Sequence, residues 1–237
     1  MPKEKLKILL VGDDRPFSTG VMGLYDFLKC THNVRVVMPQ YESSGKGHAV
    51  TIDREIPIKK VSEDVFIVDG TAVDCVRIGL MHPNFKDFGA DLVIAGINQG
   101  PNMGYDTYVS GTVSAAREAS MRGIPSLAIS KASFEPITIR DLLVVHNYFD
   151  EFLKMREDLC CSCLNINIPA DGIIKGCLKT TLGARYLTKL EVSGDENSSK
   201  YSISVVPSKD EDFGQSKLVF DYRAVAHGFI SVTPIVN

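Results

Sequence analysis

Short, almost wholly apolar runs alternate with stretches of helical spacing over the first two-thirds of the chain, and this rhythm narrows the choice of fold more than any other feature. Leu6–Val11 reads LKILLV and stops at Gly12; Val34–Met38, Asp91–Ala95 (DLVIA), Ser126–Ile129 and Leu164–Ile168 are runs of the same kind. Such runs suit strands covered on both faces, as in a parallel sheet. Gly20–Lys29 places Val21, Leu24, Phe27 and Leu28 on one helical stripe, and Asp141–Met155 does the same with Leu142, Val145, Phe149, Phe152 and Leu153. Two further helices are predicted over Ala72–Met81 and Val113–Arg122, the second closed by Gly123 and Pro125. Val50–Ile52 and Val65–Val68 read as short extended pieces. Strands and helices in this alternation predict an α/β fold: a mainly parallel sheet with helices on both faces, three layers in all.

After Pro169 the pattern changes. Lys175–Leu182, Leu187–Val192, Tyr201–Val206 and Phe229–Thr233 read as strands with no strong helix between them. Ser193–Lys200 (SGDENSSK) reads as the turn of a long β-hairpin. Residues 170–237 are therefore expected to be a β-rich elaboration of one domain spanning 1–237, a length that suits one α/β domain.

Composition excludes several classes. Hydrophobic residues make up 44% and charged residues 23%, enough for a core; the net charge of −3 and the lack of any basic run argue against a nucleic-acid polymer as partner. No run approaches the ~18 apolar residues of a membrane span, and Ile8–Val11 is too short for a secretory signal. Without such a signal, six scattered cysteines indicate a reducing compartment, hence a cytoplasmic location. The cluster Cys160-Cys161-x-Cys163 lacks the second pair of a soft-metal site and reads as ordinary thiols.

Ligands of open α/β sheets bind beyond the carboxyl ends of the strands. Three segments occupy such places. Gly12-Asp13-Asp14 ends the first strand: two adjacent carboxylates there either share a hard divalent cation or form a solvated, helix-capping turn. Gly96-Ile97-Asn98-Gln99-Gly100-Pro101-Asn102-Met103-Gly104 offers two asparagines able to ligate a cation or bond a phosphate, although turns are made of the same residues. Ser110-Gly111-Thr112 opens a helix and is either an anion site or a cap. Acidic pair, Asn-Gly loop and helix start together suggest metal-assisted hydrolysis of a phosphate ester. G-x-S-x-G and G-x-G-x-x-G are both absent, which disfavours acyl hydrolysis and dinucleotide binding.

These residues resemble the SurE family, survival proteins with nucleoside monophosphate phosphatase (5′/3′-nucleotidase) activity. The similar segments are ILLVGDD (Ile8–Asp14), VVMPQYESSGKGHAVT (Val36–Thr51), GTAVDCV (Gly70–Val76), DLVIAGINQGPNMG (Asp91–Gly104), SGTVSAARE (Ser110–Glu118), LNINIP (Leu164–Pro169) and GFISVTP (Gly228–Pro234), in family order along the chain. The resemblance implies a Rossmann-like sheet with a β-hairpin extension and a homodimer or homotetramer. It implies one divalent cation, Mg²⁺ or Mn²⁺, held by Asp13, Asp14, Ser44 and Asn98, with Asn102, Ser110, Gly111 and Thr112 around the phosphate of a nucleoside monophosphate. Asp13 and Asp14 would then be catalytic. His48, beside Gly47, either donates a proton to the leaving oxygen, binds phosphate as an imidazolium, or is a loop histidine bonded to its own backbone. Tyr105 and Tyr108 could stack on a base, but read better as loop or subunit packing.

Two positions depart from the family. Gly12 and Arg15 stand where relatives usually carry Asn and Gly, and Arg15 adds a cation that could assist phosphate binding or pair with Asp14. That departure motivates an alternative: a catalytically weakened nucleotide- or metal-binding protein on the same fold.

Overall fold

The computed structural model describes residues 5–158, 163–184, 188–193, 202–207 and 220–235. In chain order the elements are β1 (Lys7–Val11), α1 (Thr19–Leu28), β2 (Asn33–Pro39), β3 (Ile58–Lys60), β4 (Val65–Val68), α2 (Ala72–Met81), α3 (Pro83–Lys86), β5 (Leu92–Gln99), a short 3₁₀ helix (Gly104–Tyr108), α4 (Gly111–Met121), β6 (Ser126–Lys131), α5 (Ile139–Asp158), β7 (Cys163–Ile168), β8 (Cys177–Lys179), β9 (Thr188–Ser193), β10 (Ser202–Pro207), α6 (Asp221–Ala226) and β11 (Ile230–Ile235).

Among the described residues, the main sheet has nine strands in the order β3-β4-β2-β1-β5-β6-β7-β11-β8. From β4 to β7 the neighbours are parallel; β3 is antiparallel at one edge, and β11 runs antiparallel to β7. The apolar runs are buried on both faces, as expected of parallel strands. Ile8 and Leu10 join one core with Leu24, Leu28, Val145 and Phe152, from α1 and α5. Leu9 and Val11 join the other with Val76, Val113, Ala116 and Ala119, from α2 and α4. The three-layer α/β architecture follows.

α2 starts with a capping box: the Thr71 hydroxyl accepts from the Asp74 N–H at 3.1 Å, and the Thr71 N–H donates to Asp74 Oδ2 at 2.9 Å. Asp74 also accepts from Thr51 Oγ1 at 2.6 Å. This bond ties the Val50–Ile52 segment to a helix end, and the segment is irregular rather than the extended piece expected.

Elsewhere the sequence rhythm and the structure differ locally. The expected strand Lys175–Leu182 is reduced to β8. β3, α3, the 3₁₀ helix and α6 were not expected; each spans three to six residues, too few to establish a period. β9 and β10 pair antiparallel as the expected hairpin, whose turn at 194–200 lies outside the described residues. Cys160 and Cys161 also lie outside them, while Cys163 is buried in β7.

From β1 the chain passes through α1 to β2 on one side, whereas β5, β6 and β7 lie on the other. The carboxyl ends of β1 and β5 thus flank the point where strand order reverses, the place where such sheets open a crevice.

Candidate functional site

A cleft of about 760 Å³ opens at that point, its walls including Asp13, Asp14, Ser44, Asn98, Asn102 and Ser110. Six residues picked from four separate segments of the sequence are therefore brought together. Its charged lining is Asp13, Asp14, Glu42 and Asp106 against Arg15.

Asp13 is 4% exposed at the end of β1. Thr112 grips both its oxygens, the N–H donating to Oδ2 at 3.0 Å and the hydroxyl to Oδ1 at 2.6 Å. The approach requires glycine at the preceding position, since a Cβ on Gly111 would stand 2.8 Å from Asp13 Oδ2. Burial pushes the Asp13 carboxyl above its ordinary value despite the Thr112 bonds. Burial and then the charge of Asp13 push Asp14 up to about 7. Arg15 does not relieve this pair. Its side chain is 84% exposed, and its Nε lies 3.3 Å from Glu42 Oε2.

Asn98 reaches the cleft because β5 does not end where the sequence suggested. The strand continues to Gln99, and between the pairs Ala95–Ala128 and Asn98–Ser130 it holds one residue more than β6. Such a bulge re-aims the side chains that follow it. It contains Gly96 at φ 122°, a conformation that glycine adopts readily. Asn98 Nδ2 donates to the Gly100 carbonyl at 2.9 Å, which leaves Oδ1 as the amide atom to meet a ligand. Ser44 sits on an exposed arch pinned on both sides, by Ser43 N–H to the Asp13 carbonyl at 2.7 Å and by Gly47 N–H to the Val109 carbonyl at 2.9 Å.

Asn102 is 7% exposed and fixed by a buried polar network. Its Nδ2 donates to Ser130 Oγ at 2.8 Å, its N–H to Asn167 Oδ1 at 2.9 Å, and its carbonyl accepts from Asn165 Nδ2 at 2.7 Å and Asn167 Nδ2 at 3.0 Å. Ser110 is the N-cap of α4, its Oγ accepting from the Val113 N–H at 3.1 Å. The helix start is thus used as a cap: the Val113 N–H goes to Ser110 and the Thr112 N–H to Asp13, and of this turn Ser110 lines the cleft.

Three sequence candidates are placed otherwise. Gly111 and Thr112 lie behind Asp13 rather than on the cleft wall, so Thr112 acts on the carboxylate and not directly on a ligand. His48 is not on the wall either: its Nε2 lies 2.8 Å from Glu118 Oε2. His48 thus ties its loop to α4 through a residue seventy positions away, a contact that the loop-histidine reading did not include. Tyr105 and Tyr108 meet each other at a tilt, ring centroids 6.3 Å apart, and do not line the cleft.

Glu118 was missed as a partner. It is 2% exposed and bonded by Arg77 Nε at 2.8 Å, Arg122 Nε at 2.7 Å and His48. Burial alone would raise its pKa, but the hydrogen bonds from Arg77, His48 and Arg122 hold it down at about 2. A charged residue among the alanines of SGTVSAARE, with Arg122 four residues on, was the available signal. For Asn165 and Asn167 the signal was their alternation with Leu164, Ile166 and Ile168 in a strand otherwise apolar throughout.

The family model described as Survival protein SurE matches residues 8–189. A protein named 5′-nucleotidase SurE from Pseudothermotoga lettingae is 35% identical, the match covering 97% of this chain and 88% of that one. Another of that name from Petrotoga mobilis is 36% identical, covering 97% and 92%. The crystal structure of the SurE protein from Aquifex aeolicus is similar with a TM-score of 0.78 and 36% identity, covering 96% of this chain and 92% of that chain.

Proposed function

Because the chain belongs to the SurE family and is a nucleotidase-type hydrolase, we propose that it hydrolyses nucleoside monophosphates to nucleoside and phosphate with the help of one divalent cation, Mg²⁺ or Mn²⁺. The observation that carries this reading is the uncompensated pair Asp13 and Asp14, both raised in pKa by burial, in a cleft with four acidic residues and one outward-turned arginine. A phosphate dianion entering such a cleft meets net repulsion unless a cation accompanies it.

The donor set suits a hard cation. Carboxylates of Asp13 and Asp14, the Asn98 amide oxygen and the Ser44 hydroxyl are all oxygen ligands, the choice of Mg²⁺ and Mn²⁺ over zinc. With two carboxylates in the set, Ser44, Asn98 and water would complete it. When bound, the cation supplies neutralisation and Lewis-acid polarisation of the phosphoryl group.

The chain's own residues prepare the rest. Thr112 fixes the Asp13 carboxylate by two hydrogen bonds, so it needs little reordering on binding. Ser110, at the positive end of α4, lines the cleft where the phosphate would lie. Asn102 is locked by Ser130, Asn165 and Asn167 beside it. Arg15 pairs with Glu42 and leaves the aspartates open, which supports hydrolysis over the weakened-binder alternative as far as Arg15 motivated it; Gly12 remains the other half of that motive.

The test is phosphate release from a panel of nucleoside monophosphates with and without Mn²⁺. Release that stops in excess chelator and returns with Mn²⁺ is expected; full release in excess chelator would refute the metal-assisted reading.

A further inference from the structure

The cleft that holds the aspartates also has an aromatic edge. Phe134 lines it, is 43% exposed, and is the only Phe or Tyr among its lining residues. Tyr41, Tyr105 and Tyr108 are exposed as well but lie off its wall. We propose that Phe134 is the platform on which this cleft stacks the nucleobase of its substrate, an inference that rests on the nucleotidase reading above.

The position of the ring supports this. Gly100 has no side chain, and the point where its Cβ would stand is 2.9 Å from Phe134 Cε1 and 3.8 Å from Asn98 Nδ2. Gly100 has φ 125°, where other residues are strained, and the Phe134 ring packs directly against its backbone. Phe134 and the metal-ligand candidates Asp14 and Asn98 therefore border one cleft. A phosphate held near Ser110 in that cleft would leave the base within the walls that the ring helps to form.

The loop that presents the ring is fastened from both ends. Lys131 and Asp141, 4% and 0% exposed, form an ion pair at 3.0 Å. Lys131 Nζ also donates to the Pro136 carbonyl at 2.9 Å, and Thr138 donates to Asp141 Oδ2 through its N–H and hydroxyl, both at 2.8 Å. Gln99, next to Asn98 on β5, donates its side-chain amide to the Phe134 carbonyl at 2.5 Å. A platform held this firmly loses little entropy when a base lands on it. Every base has a π face, so stacking separates nucleotides from sugar phosphates while tolerating any base.

The experiment compares wild type, Phe134→Ala and Phe134→Trp in Mn²⁺, using adenosine 5′-monophosphate and its abasic counterpart, ribose 5-phosphate. In Phe134→Ala the ratio of kcat/KM for the nucleotide to kcat/KM for the sugar phosphate should fall about tenfold, mostly through KM. Phe134→Trp should keep the ratio near wild type. Binding of a fluorescent 2-aminopurine nucleotide should quench its emission in wild type and Phe134→Trp but much less in Phe134→Ala. An unchanged ratio, or quenching equal in all three proteins, overturns the inference. If wild type releases phosphate from neither compound, the nucleotidase reading fails, and quenching alone then decides whether Phe134 stacks a base.

Discussion

Two carboxylate centres are buried against opposite ends of α4, and burial drives both the same way. At the C-terminal end Glu118 is met by Arg77, Arg122 and His48, which overcome the cost of burial and hold it at about 2. At the N-terminal end Asp13 has the Thr112 donors but no cationic partner among the described residues, with Asp14 beside it, and Asp14 is pushed up to about 7. Desolvation is thus common to the two, and the neighbours decide the sign. A carboxylate saturated with cationic partners strengthens the fold; a pair left without them stores unfavourable charge that a ligand can relieve.

The largest separation of the two centres is expected in activity. Asp13→Asn should lower kcat/KM by more than about a hundredfold in a phosphate-release assay. The same change should not destabilise the chain, because it removes one of two like charges and the Thr112 hydroxyl can turn to accept from the new amide. Its Tm should match wild type or rise by roughly 2–4 °C, the equivalent of about 1 kcal/mol. A fall in Tm as large as that of a Glu118 variant would erase the distinction.

Glu118→Ala should do the opposite, costing roughly 3 kcal/mol in chemical denaturation, because it strips the partner from two half-buried arginines. It should affect kcat/KM less than Asp13→Asn, through loosening of the His48 loop. The acid limb of stability sharpens this. Glu118 titrates lower in the folded chain than its ordinary 4.5, so its contribution is complete above that value and lost as pH falls toward about 2. Wild type should therefore lose more stability than Glu118→Gln over that interval. Parallel stability curves for the two proteins would contradict the assigned ion cluster.

The smallest effect is expected from Thr112→Val, which keeps the backbone bond to Asp13 and deletes the hydroxyl one. About 1 kcal/mol of stability and roughly tenfold in kcat/KM should go with it. An unchanged rate would mean that Asp13 does not need the hydroxyl to hold its orientation.

The sequence made the scaffold legible where burial leaves a long record. β1, β2, β6 and β7 fall within a residue or two of their apolar runs, and α2 matches its expected bounds at both ends. Asp13, Asp14 and Asn98 were visible because strand ends are where such sheets expose chemistry. What stayed hidden depended on partners distant in sequence. Gly96-Ile97-Asn98 reads as a loop by composition, yet pairing with β6 extends β5 through it and a bulge turns Asn98 into the cleft. His48 looked like a catalytic candidate because nothing local announces that Glu118, seventy residues away, lies 2.8 Å from its ring. Phe134 carries no motif at all; only the folded loop, fastened by Lys131 and Gln99, brings it beside Gly100.

The central claim is that the charge left uncompensated at Asp13 and Asp14 is matched by a divalent cation. Calorimetric titration of chelator-treated protein with Mn²⁺, run beside Asp13→Asn, tests it without any substrate. One saturable site in wild type, weakened by tenfold or more in the variant, is the predicted result. Equal Mn²⁺ affinity in the two proteins, or no binding in wild type, would contradict it.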